Sequence, residues 1–260
     1  MLKPEEIKAN YVKFRNTINK LFPERAEKLN KLYDSFDEEN LYFAPAASQE
    51  HLHNSIPGGY IDHVLRVMEF SNKGYEHCKN LGFDLSGFTK EELMFAALNH
   101  DLGKLGFSGT NNEYYQVNDS EWHRKNQGKL YKKNVALPFV EIQDLSLFLL
   151  QQFNIEITWN EYLGIKVHDG LYVDSNKSYF MGFNPEAKFR NMLPFILHHA
   201  DINAAQFEFF RWQKESGKMK LNDVSKRNSD EVEEENNFIK LPPQKSNIPN
   251  MDEFSELFKI

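Results

Sequence analysis

Several of the nine histidines in this 260-residue chain stand beside a carboxylate. His63 follows Asp62, His100 and Asp101 form a doublet, His168 and Asp169 form another, and His198 precedes Asp201 by three residues. Neutral imidazole nitrogens and carboxylate oxygens suit a divalent Mn, Fe, Co, Ni or Zn ion, with Mg also within reach, and open positions on such an ion let it activate water. The one cysteine, Cys78, has no partner for an internal disulfide or a cysteine-rich zinc site, so a metal has only histidines and carboxylates to use. A single buried histidine is often satisfied by a backbone carbonyl. The ordered set of His63, His100-Asp101, His168-Asp169 and His198 with Asp201 is what points to an ion. His198 and Asp201 share a helix face, and His198 is a better companion for Asp201 than His199 is. Neighbours on a regular helix diverge by roughly 100°, so His100 and Asp101 can both bind only where the helix loosens, which Gly103 predicts as the stop.

These residues sit on or at the ends of helices marked out by apolar periodicity, and the chain reads as all-α. Residues 4–32 carry Ile7, Tyr11, Phe14, Ile18, Leu21 and Phe22 at spacings of three and four, the stripe of a packing helix. Pro45, Ser48, Asn54, Pro57 and Gly58-Gly59 mark a loop that delivers the chain into a helix beginning near Tyr60. Thr89-Lys90-Glu91-Glu92 is a capping box that opens the helix ending in His100. Residues 108–134 read as a long loop with one short helix. Helices follow over residues 141–153 and 160–168, then a turn-rich stretch or short hairpin over 172–184, and one or two helices over 185–212. From about Lys214 the composition turns to Lys, Ser, Asn, Asp and Glu. This predicts an N-terminal helical extension over residues 1–40 packed on the core, a helical domain over 41–213, and a flexible acidic tail over 214–260 whose last ten residues regain an amphipathic pattern.

The order of the histidines and aspartates resembles the HD-domain metal-dependent phosphohydrolases. The similarity lies in His63 of Gly58-Gly59-Tyr60-Ile61-Asp62-His63, the doublet in Asn99-His100-Asp101-Leu102-Gly103-Lys104, and Asp201 of His198-His199-Ala200-Asp201. The glycine pair ahead of His63 is similar to HD proteins that act as 3′–5′ exonucleases. The stretch over residues 43–212 resembles HD proteins of large tailed phages. The resemblance implies a helical HD bundle that holds one or two ions through His63, His100, Asp101 and Asp201. Asp101 would also position water, and Lys104 would reach the substrate phosphate. Two-metal members add histidines between the doublet and the last Asp; here those are His123 and His168. Where many relatives carry a His-His pair this chain has His168-Asp169, with Asp169 as a possible oxygen ligand and His198 as another. His123, flanked by Arg124 and Lys125, reads equally as a ligand or a phosphate contact, and Arg124 as a phosphate contact. Tyr114, Tyr115, Tyr172 and Tyr179 have two open readings, stacking on a base or packing.

The implied activity is hydrolysis of a nucleotide phosphate ester or anhydride by metal-activated water. Two rivals remain: a phosphodiesterase or 3′–5′ exonuclease on an oligonucleotide or cyclic nucleotide, and a non-catalytic metal-binding module. A net charge of −7 and a sequence pI near 5.8 argue against coating duplex DNA through its phosphates. Neither a P-loop nor a Gly-x-Gly-x-x-Gly turn occurs. The apolar runs are far shorter than the roughly 20 residues of a membrane span, and the first residues lack a signal-peptide pattern, so the expected residence is the cytoplasm, or a host's if a phage encodes the chain. Phe254, Leu257 and Phe258 at helical spacing predict that the C-terminal segment docks either on its own domain or on a protein partner.

Overall fold

The computed structural model describes residues 1–109 and 111–217. Among these the architecture is all-α, apart from one two-stranded sheet. The tail beyond residue 217, with the C-terminal segment expected to dock, lies outside the described residues. No helix among the described residues is long and apolar enough to cross a membrane.

The stripe over residues 4–32 forms two helices rather than one, α1 (Pro4–Leu21) and α2 (Ala26–Tyr33). Pro23 is the reason. The residue before a proline is pushed out of the helical region, and Phe22 leaves the helix at φ −128°, ψ 54°. Both helices bury the expected apolar face, with Phe14, Ile18, Leu29 and Leu32 at 0% exposure. A short α3 (Glu38–Phe43) is capped by Asp37, whose carboxylate accepts from the amide of Glu39 at 3.0 Å.

After an irregular loop comes α4 (Gly59–Asn80). Its glycine pair is required by space. Gly58 adopts a left-handed φ of 76°, and a Cβ on Gly59 would lie 2.0 Å from the Asn54 carbonyl oxygen. The loop therefore folds tightly against the first turn of the helix that carries His63. The capping box at Thr89 forms as the sequence predicts, with Thr89 Oγ1 3.1 Å from the Glu92 amide and Glu92 Oε2 2.6 Å from the Thr89 amide, and it opens α5 (Lys90–Asn99).

The stop after α5 differs from the expectation. The helix ends at Asn99, Asp101 sits at φ −105°, ψ 13°, and a 3-10 turn follows over Leu102–Leu105. Gly103 is not a left-handed cap. It is small because a Cβ there would come within 2.3 Å of the Ile142 carbonyl oxygen on the next long helix. The loosened turn nonetheless lets His100 and Asp101 point to one place.

The polar segment expected as a loop with one helix contains that helix, α6 (Glu121–Gln127), inside an antiparallel pair of strands, β1 (Tyr115–Val117) and β2 (Tyr131–Lys133). Three-residue strands are too short for an alternation to register in sequence. The pair is tied to the loop before α4 by Tyr131 N–H to the Ser48 carbonyl at 3.0 Å and Glu50 N–H to the Gly128 carbonyl at 2.8 Å.

Next come α7 (Ile142–Gln152) and α8 (Trp159–Val167). The turn-rich stretch forms 3-10 turns and the one-turn α9 (Lys177–Phe180), with no hairpin. A single α10 (Leu193–Ser216) closes the bundle, running two residues past the composition shift at Lys214. Helices α4, α5, α8 and α10 pack around a shared core of Tyr60, Val64, Phe95, Leu98, Ile165 and Leu197, all at 0% exposure. α1 lies on the outer side of α4, and α7 supports the 3-10 turn that follows α5.

Candidate metal centre

Four helices send polar side chains to one point. His63 comes from the second turn of α4, His100 and Asp101 from the end of α5, His168 from the end of α8, and Asp201 from the third turn of α10. The three histidines and Asp101 are at most 3% exposed. His63 Nε2 lies 3.1 Å from Asp201 Oδ1 and 3.5 Å from Asp101 Oδ2. His100 Nε2 lies 3.3 Å from Asp101 Oδ2, and His168 Nε2 is 3.6 Å from Asp101 Oδ1 and 3.5 Å from Asp169 Oδ2.

The other ring nitrogens are already used. His100 Nδ1 is 2.8 Å from the Ala97 carbonyl, His168 Nδ1 is 2.8 Å from the Ile165 carbonyl, and His63 Nδ1 is 3.1 Å from the Glu208 carboxylate. In each case Nδ1 donates, so it is the Nε2 lone pair, free once the ring has lost its second proton, that faces the cluster. The Nε2 atoms of His63 and His100 are buried and make no well-formed hydrogen bond, although carboxylate oxygens of Asp201 and Asp101 stand 3.1 Å and 3.3 Å away. A buried nitrogen without a partner is costly, and an ion among these donors removes the cost.

Donors within 4.8 Å of one another form overlapping sets: His63, His100 and Asp201; His100, Asp101 and His168; His168, Asp169 and Asp201; and His53, His63 and Asp101. Mixed imidazole and carboxylate donors of this kind fit a divalent transition metal.

The local charges favour a cation. Burial pushes His63 and His168 toward the neutral form. For His63 the carboxylates of Glu208 and Asp201 outweigh it and raise the ring to about 10. For His168 Asp169 and Asp101 do the same, also to about 10. Burial would raise Asp101, but the charge of Lys104 and then His100 hold it well below the usual carboxylate range. Asp201 is lowered too, burial being outweighed by His63, His100 and His168. Lys104 Nζ sits 2.6 Å from Asp101 Oδ2 and donates to His53 Nε2 at 3.1 Å. Burial acts against its charge, and Asp101 more than restores it.

Not every candidate arrives here. Among the described residues His123 joins none of the donor sets; it is half-buried on α6, its ring 5.2 Å from that of Trp122. Arg124 on the same helix donates to the Asn118 carbonyl. The strand pair that carries α6 gives both residues a place of their own. His198 also stays outside the donor sets, because its Nδ1 lies 2.6 Å from the His168 carbonyl and its ring packs 5.3 Å from Phe180. It props the turn that presents His168 and Asp169.

Three residues here were not assigned from sequence. His53 lies in the loop before α4, its ring 4.8 Å from that of His63, where burial, Lys104 and His63 hold it well below the usual imidazole range. The only hint was its place just ahead of the glycine pair. Glu208 is two turns beyond Asp201 on α10 and fully enclosed between His63 and Arg66; an acid at that spacing from a ligand was the available signal. Tyr115, named only as a stacking candidate, lies within electrostatic reach of Lys104, Asp101 and Asp169, and burial raises its hydroxyl to about 12.

A cavity of about 480 Å³ opens beside Asp169, Asp201 and His53. Three larger hollows, two of about 670 Å³ beside Phe148 and Tyr162 and on α1 and one of about 600 Å³ beside Arg25 and Glu161, hold no histidine. Donor chemistry, not size, selects the smaller one. No protein-family model, curated protein or solved structure matches this chain.

Proposed function

We propose that this chain is an HD-type metal-dependent phosphohydrolase that cleaves a phosphate ester or anhydride of a nucleotide, working in the cytosol where such substrates are. The observation that carries the reading is the pair of buried Nε2 atoms of His63 and His100, without a well-formed hydrogen bond and turned toward the carboxylates of Asp101 and Asp201. His63, His100, Asp101 and Asp201 would hold one ion, and His168 and Asp169 with Asp201 a second. A bound divalent ion supplies Lewis acidity toward a phosphoryl oxygen and lowers the pKa of water.

The chain's own groups divide the remaining work. Asp101 stays ionised and is the acceptor that orients the attacking water. Lys104, charged and 2.6 Å from Asp101, meets the negative charge that grows on the phosphate. Tyr115 stays protonated and offers an O–H donor on the same side. His53 accepts from Lys104 and fixes the direction of its ammonium group.

The test is phosphate release from nucleotides and short oligonucleotides by full-length protein, stripped of metal and reloaded with Mn²⁺, Co²⁺, Ni²⁺ or Mg²⁺. Hydrolysis should need the metal, and Asp101→Ala should abolish both hydrolysis and bound metal while far-UV helicity is kept. Metal binding without turnover of any of these compounds would replace the hydrolase with a non-catalytic metal-binding module.

A further inference from the structure

The cavity beside the metal centre differs in character from its floor. Asp169 and Asp201 stand at one end. From Asp201 the wall continues along one face of α10 through Ile202, Ala205 and Phe209, the last of them eight residues on, or about 12 Å along the axis. None of the residues that line the cavity is a lysine or arginine. The nearby arginines face away from it: Arg66 is bound to Glu208 and Asp62, and Arg211 to Asp62 and Asn54. Lys104, engaged with Asp101 and His53, is not part of the wall.

A substrate lying in this space can place one phosphate against the ligands. A second or third phosphate along the wall would meet Ile202, Ala205 and Phe209 with no lysine or arginine to pair it; of the histidines in the lining, His53 accepts from Lys104 and His198 Nδ1 is held on the His168 carbonyl, which leaves His51, so this is a costly position for a charge. The far end instead suits a flat ring. Phe209 offers an aromatic face there, and Gln206, three residues before it on α10, has an amide that both donates and accepts. A nucleobase has a face to stack and an edge that needs both kinds of partner.

We infer that the cavity receives the nucleoside of a nucleoside monophosphate, and that the chain discriminates against nucleoside di- and triphosphates. The inference rests on the hydrolase reading above. It is tested by kcat/KM of the Mn²⁺-loaded full-length protein toward nucleoside mono-, di- and triphosphates, ribose 5-phosphate and a short oligonucleotide. The monophosphate should exceed the triphosphate by at least about 30-fold, the scale of leaving a buried charge unpaired. It should exceed ribose 5-phosphate by about 5- to 150-fold, the worth of stacking a base on an aromatic ring. Phe209→Ala should bring that second ratio toward one at unchanged Mn²⁺ stoichiometry. Ala205→Trp, which fills the middle of the wall, should depress turnover of the nucleotide most. A preference for triphosphate or oligonucleotide, or ribose 5-phosphate matching the nucleotide, overturns the inference while the hydrolase reading stands. If the loaded protein hydrolyses none of the compounds, the hydrolase reading itself has failed.

Discussion

Replacing Glu208 by glutamine tests whether His63 is held as a metal ligand. Glu208 is buried, with Oε2 3.1 Å from His63 Nδ1 and Oε1 3.0 Å from Arg66 Nε. Both partners donate, so both oxygens accept. A glutamine has one acceptor and one donor in the same shape, and either orientation fails at one contact. With its oxygen toward Arg66, its NH₂ meets His63 Nδ1, the ring must move its proton to Nε2, and the lone pair facing Asp101 and Asp201 is lost. With its oxygen toward His63, the tautomer is kept but the charge that makes the imidazole more basic is gone. Arg66 then relies on Asp62, 2.7 Å away. Changing such a carboxylate behind a ligating histidine typically weakens metal binding by about 10–100-fold, or about 1.4–2.8 kcal/mol. Calorimetric titration of Mn²⁺ into the stripped full-length protein, with chelator competition, reads this directly, and a melting curve checks that the fold persists. Glu215→Gln is the control on the same helix, because the Glu215 carboxylate pairs with the exposed N-terminus 2.7 Å away, far outside the donor sets. If Glu208→Gln stays folded and binds Mn²⁺ as tightly as the wild type, His63 is not a ligand oriented by Glu208.

Lys104→Ala should lower kcat by about 10²–10³, the usual cost of removing one group that stabilises transition-state charge, with metal content unchanged; wild-type kinetics would return Lys104 to a purely structural ion pair with Asp101. Titration with Mn²⁺ should give two ions per chain, falling to one in His168→Ala and remaining two in His123→Ala. Loss of an ion on changing His123 would contradict a centre built without it. The metal-free protein should lose stability as pH rises. His63 and His168 are raised from 6.5 to about 10 against the effect of burial, so the stability they contribute is complete below about pH 6.5 and disappears as pH climbs through 10. A melting temperature of the stripped protein that is flat or rising over that window would refute this.

What could be read from the sequence was what regular helices encode. His63, His100, Asp101 and Asp201 each occupy a helix end or a helix face, so the periodicity that locates the helix also locates the side chain. The capping box at Thr89 was legible because its two hydrogen bonds are local, three residues apart. The boundary at Pro23 was in plain view but outweighed by an apolar stripe that continues across it. His53 was hidden for a different reason. It sits in an irregular loop whose path is set by contacts distant in sequence, among them the Tyr131 amide on the Ser48 carbonyl and the Glu50 amide on the Gly128 carbonyl. No pattern within residues 44–58 contains those partners. His123 shows the converse: a plausible ligand by type and order, carried elsewhere by a strand pair too short to announce itself.

The N-terminal helix is joined to the candidate metal centre by a chain of polar contacts that starts at Asp62, the residue before His63. Asp62 accepts from Asn10 on α1 at 3.1 Å, from Asn54 in the preceding loop at 2.9 Å, from Arg66 at 2.7 Å and from Arg211 on α10 at 2.9 Å. Burial pushes this carboxyl up, but Arg66, Arg211 and Asn54 together bring it below its ordinary value, so it remains an acceptor for all four. Arg66 then passes the constraint to Glu208, and Glu208 to His63. On the same side Ile7 of α1 packs where a side chain on Gly58 would otherwise stand, with its Cγ1 3.0 Å from that position. α1 and α10 thereby clamp both the loop that carries His53 and the turn of α4 that carries His63. A ring from a loop and a ring from a helix need such a clamp to stay side by side, and an ion would gain from His63 only if that ring is held in place before the ion arrives. The residues at this point come from a loop and four helices, and the network around Asp62 is what fixes the loop, α4 and α10 against one another.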